Sequence, residues 1–171
     1  MKICMVGTGY VGLVSGACFS DLGNTVYCVD KDHKKIDMLN EGQIPIYEPG
    51  LESLIKKGTS SKSLHFTSDI KYALENSYFC FIAVGTATND KGDTDLKYVM
   101  DVAKSIGESM LHHMYVVNKS TVPVGTTDKV KKVIQKSLQS RNSLLSFDVI
   151  SNPEFLREGE AIRDFIYPDR I

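Results

Sequence analysis

Three glycines stand at the spacing G-x-G-x-x-G: Gly7, Gly9 and Gly12, in the run "GTGYVG", with Tyr10 and Val11 inside it. That spacing suits a pyrophosphate. The first glycine makes a tight turn, the second lets backbone approach the phosphates, and the third lets a helix pack close to a strand. The first N–H groups of that helix add a partial positive charge. The pattern gains meaning only between a strand and a helix, with an acid about 20 residues further on. "KICMV" before it is a short apolar run, and "YVGLVSGACFSDLG" after it carries small and apolar residues at helical spacing. Asp30 closes the next apolar run, "TVYCVD". An acid there takes the ribose hydroxyls of an adenosine and repels a 2′-phosphate, so NAD is expected over NADP. Lys31, Lys34 and Lys35 lie nearby and soften that preference.

Two further stretches carry hydroxyls and glycines: "VGTAT", with Val84, Gly85, Thr86 and Thr88, and "KSTVPVGT", with Ser120, Thr121 and Val122. Each follows an apolar run. Their residues read either as cofactor contacts or as Ser and Thr caps of the next helices. Three such loops on one sheet edge favour a ligand. The last stretch, "SNPEFLREGEAIRDFIYPDRI", is dense in Glu, Asp, Arg and Pro where a terminus is usually bland.

These loops need elements to hold them. Strands are expected at Lys2–Val6, in "TVYCVD", in "SLHFTSD", across "YFCFIAVG", in "MYVVNKS" and in "SFDVISN". Helical patterns fall between them, in "DHKKIDMLNEG", "LESLIKKG", "IKYALENS", "DLKYVMDVAKSIGESM" and the basic "GTTDKVKKVIQKSLQ". The alternation predicts an α/β fold, a doubly wound and mostly parallel sheet with helices on both faces; with the glycine pattern and Asp30 it reads as Rossmann-like and NAD-binding. The break between Ser60 and Ser63 reads as a loop inside one domain.

The 171 residues suit one domain, and a net charge of −1 lacks the basic footprint of a nucleic-acid binder. No apolar run is long enough for a membrane span, and the short, glycine-broken start does not suit a signal peptide. A cytoplasmic protein is expected. Cys4, Cys18, Cys28 and Cys80 lack metal-ligand spacing and sit in apolar context, so buried free thiols are expected, with no metal and no disulfide.

"GTGYVG", "VDKDHKKIDMLNEGQIPIYEPGL", "FIAVGT", "KSTVPVGT" and the terminal "SNPEFLREGEAIRDFIYPDRI" together resemble the UDP-glucose/GDP-mannose dehydrogenase family, in order and over nearly the whole chain. Tyr47, Lys119 and Pro168-Asp169-Arg170 favour its UDP-glucose branch over GDP-mannose or UDP-N-acetyl sugar branches. The resemblance implies oxidation of a sugar C6 alcohol to a carboxylate with two NAD in turn, through a covalent cysteine adduct. It implies Thr121 and Glu154 as catalytic, Thr121 holding a water and Glu154 positioning it or taking its proton. It implies Glu154, Phe155, Leu156, Arg157 and Glu158 along the substrate. It adds Lys35 beside the adenosine ribose, and Val11, Thr86, Thr88, Ser120, Thr121, Val122 and Glu158 at the cofactor. On the residues alone Glu154 reads as a solvated loop acid. For base chemistry an apolar setting from Phe155 and Leu156 is expected.

The sequence departs from the family in two ways. Ala87 stands where the family usually has proline, which predicts a looser turn. The family's cysteine segment is not found among these residues, nor are its central dimer helix and its UDP-binding domain. Residues 1–171 are therefore expected to be the N-terminal NAD-binding domain of a longer enzyme, the parent a homodimer acting on UDP-glucose. A truncated NAD-binding module, or a remnant without activity, is the alternative.

Overall fold

A computed structural model describes residues 1–87 and 94–170. The elements run β1 (Lys2–Val6), α1 (Tyr10–Asp21), β2 (Thr25–Val29), α2 (His33–Asn40), α3 (Leu51–Ser60), β3 (Leu64–Thr67), α4 (Ile70–Glu75), β4 (Phe79–Ile82), α5 (Lys97–Ser109), β5 (Met114–Asn118), α6 (Thr126–Ser140), β6 (Phe147–Ser151) and α7 (Ala161–Ile166). The six strands form one sheet in the order β3-β2-β1-β4-β5-β6. Every pair in it is parallel, where a mostly parallel sheet was expected.

Parallel strands are covered on both faces, which is why β1 reads as an unbroken apolar run. Successive side chains of β1 enter opposite cores. Ile3 and Met5 join Leu13, Ala17, Cys28, Leu39 and Ile55 under α1, α2 and α3. Cys4 and Val6 join Cys80, Ile82, Ala103, Met114 and Ile134 under α4, α5 and α6. The helices are thus split between the two faces, as in a doubly wound sheet. Asp32 and Asp69 start α2 and α4 by accepting N–H hydrogen bonds from Lys35 and Tyr72. These caps satisfy groups a helix start leaves open.

Two boundaries differ from expectation. The strand expected across Tyr78–Gly85 ends at Ile82, so Ala83 to Gly85 are released into the loop above the sheet. The terminal stretch contains a helix, α7, that the sequence reading did not anticipate. Its six residues are too few for a periodicity to show. Ile162, Phe165 and Ile166 pack it on the first core, with Phe165 edge-on to Phe19 at 4.9 Å.

Candidate cofactor and catalytic site

β1 and β4 adjoin at the centre of the sheet, where the chain order reverses: α1 leads from β1 toward β2, while β4 leads toward β5. A doubly wound sheet opens its ligand crevice at this point, beyond the carboxyl ends of the strands. The glycines fit it individually. Gly7 has φ +105°, and a Cβ there would lie 2.5 Å from the Ala83 carbonyl oxygen. A Cβ at Gly12 would lie 1.9 Å from the Gly7 oxygen, so α1 starts hard against β1 only because both side chains are absent. Gly9 has nothing within 4 Å of its Cβ position and is the N-cap of α1, without a side-chain cap. That leaves the N–H groups of the first turn facing open space, which is the shape and polarity a pyrophosphate needs.

Asp30 follows β2, on the β2 side of the switch point. Its Oδ2 accepts the Thr8 N–H at 2.9 Å and the Thr8 hydroxyl at 2.8 Å, with Lys35 Nζ at 3.4 Å. Its Oδ1 accepts the Asp32 N–H at 3.1 Å. Burial pushes the carboxyl up, but these N–H groups, the hydroxyl and Lys35 outweigh it and hold it below the usual carboxylate range. Lys35 thus stands beside Asp30, whereas Lys31 lies 4.2 Å over the Tyr98 ring.

On the other side of the switch point, a cleft of about 220 Å³ brings together Gly9, Tyr10, Val11, Val84, Gly85 and Thr86 with Ser120, Thr121 and Glu154. Lys119 lines it too. The loops are stitched across the sheet. Ser120 is buried and donates its hydroxyl to the Val84 oxygen at 2.7 Å, and Thr86 donates to the Thr121 oxygen at 3.0 Å. So Ser120 acts as a strut under the cleft, while the Thr121 side chain is exposed at its wall. Neither caps α6, whose N-cap is Gly125, without a side-chain cap. Val122 packs on the second core. Ala87 does not leave its loop untied, since its oxygen takes the Asp95 N–H at 2.7 Å. Thr88 lies outside the described residues.

The terminal segment divides. Glu154 lines the cleft, with its Oε2 fixed by the Leu156 N–H at 2.7 Å. Leu156 packs on the first core. Phe155 is 54% exposed, near Arg170, so these two side chains do not form the apolar wall expected around Glu154. Phe155 and Arg157 line a second cavity of about 410 Å³ with Asp164, Pro168, Asp169 and Arg170. Glu158 is exposed, close enough to Tyr10 for its charge to be felt there.

Two residues of this site went unnoticed in the sequence. Thr8, fully buried, anchors Asp30, yet it occupies a variable place of the glycine pattern. Glu48, 5% exposed, meets Tyr10 and the backbone of Gly159 and Ala161. A Glu before Pro49 in a loop carries no sign of such burial. The four cysteines are free and buried, as expected, and none lines the cleft. Among the described residues no group of His, Cys, Asp and Glu is arranged to hold a metal, and no helix is long and apolar enough to cross a membrane.

Comparison with known proteins agrees with this geometry. A model of the UDP-glucose/GDP-mannose dehydrogenase family, NAD binding domain, matches residues 1–171. A UDP-glucose 6-dehydrogenase of Bacillus subtilis is 52% identical over 99% of the chain and 36% of its own length. One from Rhizobium meliloti is 52% identical over 100% of the chain and 38% of its own length. Among solved structures, a GDP-mannose dehydrogenase from Pseudomonas aeruginosa superposes with a TM-score of 0.92 at 40% identity, over 98% of this chain and 39% of that one. A UDP-glucose dehydrogenase from Pyrobaculum islandicum gives 0.90 at 38% identity, over 99% and 39%. The chain thus spans well under half the length of each of these proteins. Its glycine cradle, its anchored acid at β2 and its full-length match to the family model agree: the chain belongs to the UDP-glucose/GDP-mannose dehydrogenase family and is an NAD-binding domain of that family.

Proposed function

We propose that this domain is the N-terminal, NAD-holding part of a UDP-glucose 6-dehydrogenase that oxidises UDP-glucose to UDP-glucuronate. The observation that carries the reading is the arrangement across the switch point. The anion cradle at Gly9 stands between an anchored acid, Asp30, on one side and a cleft that Gly9 shares with Thr121 and Glu154 on the other. NAD held there would supply the hydride acceptor for the sugar C6. The α1 N-terminus would hold its phosphates, and Asp30 with Lys35 would receive the adenosine ribose. Thr121 presents its hydroxyl at the cleft wall and orients a water. Glu154, its carboxylate aimed by the Leu156 N–H, takes the proton from that water. Phe155, Leu156, Arg157 and Glu158 belong to the sugar-nucleotide side, with the Phe155–Arg157 cavity as its opening. The four cysteines are buried away from the cleft, so the covalent step falls to a cysteine of the parent enzyme outside these residues.

Identity of 52% to two UDP-glucose 6-dehydrogenases supports the UDP-glucose assignment over the GDP-mannose one. Calorimetry on residues 1–171 tests the cofactor role, and a flat titration of folded protein with NAD would refute it. Assay of the parent enzyme tests the substrate. UDP-glucose should yield two NADH per product, with GDP-mannose and UDP-N-acetylglucosamine turned over at least a hundredfold more slowly. A reversed preference would move the enzyme to another branch of the family.

A further inference from the structure

Glu48 lies far in sequence from everything it binds. It is 5% exposed, in the loop before α3. Its Oε2 accepts the Gly159 N–H at 2.8 Å and its Oε1 the Ala161 N–H at 2.9 Å. Tyr10, the first residue of α1, donates its hydroxyl to the same carboxylate, and the Gly159 N–H also approaches that hydroxyl at 3.3 Å. One buried carboxylate therefore joins the cofactor helix, the α2–α3 loop and the segment that carries Glu154. Burying a carboxylate is costly unless donors surround it, so such a group stays where its geometry is needed.

The tie has a location that matters. Tyr10 and Glu154 line the same cleft. Asp30 and the adenosine half of the cofactor lie toward β2, so the nicotinamide half extends toward β4 and β5, where residues 154–161 pass. Between Glu154 and Gly159 the backbone is irregular and mostly exposed. Leu156 on the core and the Arg157–Asp164 bonds hold its middle, and Glu48 is the anchor of its far end.

We propose that Glu48, acting with Tyr10, is a positioning residue for the reaction: it holds residues 154–161 over the nicotinamide half of the cleft and so sets where Glu154 stands. This rests on the NAD reading above. Burial tends to push the Glu48 carboxyl up, but Tyr10 and the N–H groups of Gly159, Ala161 and Ile162 hold it below the usual range. It therefore accepts all of them throughout the neutral range. Glu48→Gln keeps the volume but turns an amide NH₂ toward donors, leaving one unpaired.

The test compares NAD with ADP-ribose, which lacks the nicotinamide, by calorimetry on the wild-type chain, Glu48→Gln and Tyr10→Phe. Wild type is expected to favour NAD. Glu48→Gln should cut the NAD to ADP-ribose affinity ratio at least fivefold while ADP-ribose affinity stays within twofold, and should speed amide exchange at Gly159 and Ala161 at least tenfold. Tyr10→Phe, which keeps the ring and both backbone bonds, should lower the ratio two- to threefold. It decides the matter should Glu48→Gln fail to fold. A merely structural role would lower the melting midpoint without moving the ratio. A ratio within twofold of wild type in every folded variant overturns the proposal, as does a wild type that binds both ligands equally. A wild type that binds neither ligand refutes the NAD reading instead, and the exchange rates at Gly159 and Ala161 still report whether Glu48 anchors the segment.

Discussion

Thr8 and Asp30 are joined twice: the N–H and the hydroxyl of Thr8 both donate to one oxygen of Asp30, at 2.9 and 2.8 Å. The glycine turn is thereby tied directly to the acid at the end of β2, the two features proposed to take the phosphates and the ribose. Asp30→Asn should lower NAD affinity tenfold or more and narrow the gap between NAD and NADP, measured by calorimetry. Thr8→Val, losing only the hydroxyl bond to a charged acceptor, should cost about 1.5–3 kcal/mol of stability. The depressed Asp30 pKa stabilises the fold fully above its ordinary value of 3.8 and stops doing so as pH falls through the lower folded value. Asp30→Asn should therefore flatten the acid limb of a stability-against-pH curve.

Gly9 and Gly12 should separate binding from stability. Alanine at Gly12 meets the Gly7 oxygen at 1.9 Å and forces α1 off β1. A loss of more than about 3 kcal/mol is expected, seen as a fall of roughly 6–12 °C in melting midpoint. Gly9→Ala has room and an ordinary backbone angle, so the midpoint should fall by only a few degrees. Its NAD affinity should drop at least tenfold, because the methyl occupies the space left for a phosphate. Equal melting loss in both variants would contradict the cradle geometry.

The thiols should be silent in the folded chain. Hydrogen bonding with Cys80, its in-register neighbour on β4, and burial push the Cys4 thiol well up. Burial pushes Cys18 and Cys28 up to about 12. A disulfide reagent should find no fast thiol in the native state and all four in denaturant. One fast native thiol would mean that a core face opens.

Arg157 folds the terminal segment onto α7. Its Nη2 and Nε reach Asp164 at 2.6 and 3.0 Å, and its N–H at 3.0 Å. Those bonds hold the Asp164 carboxyl down at about 2, so its stabilising effect is complete above the ordinary value of 3.8 and is lost as pH falls from there through about 2. A carbon-13 titration of Asp164 should show its midpoint there. Asp164→Asn should speed trypsin cleavage after Arg157 several-fold.

Features that depend on neighbours in the chain are legible in the residues alone. Gly7, Gly9 and Gly12 fall within six residues between a strand and a helix, so their spacing in that context marks the cradle, and Asp30 ends a run whose apolar character marks a buried strand. Doubly covered strands such as β1 and amphipathic helices such as α5 and α6 are legible for the same reason, because one face or both must be apolar. Features that depend on distant partners arise only when the chain folds. Burial turned Glu48 from a loop acid into an anchor, and only the fold of residues 159–161 onto Tyr10 supplies the donors that make such burial tolerable. Thr8 gained its role from the end of β2, and Ser120 became a strut because the β4 loop passes above it. Phe155 was drawn away from Glu154 because the segment alternates, sending Leu156 inward and Phe155 out. A carboxylate's partners and a hydroxyl's acceptor are set by which backbone groups packing brings within about 3 Å, and no local pattern of residue types carries that information.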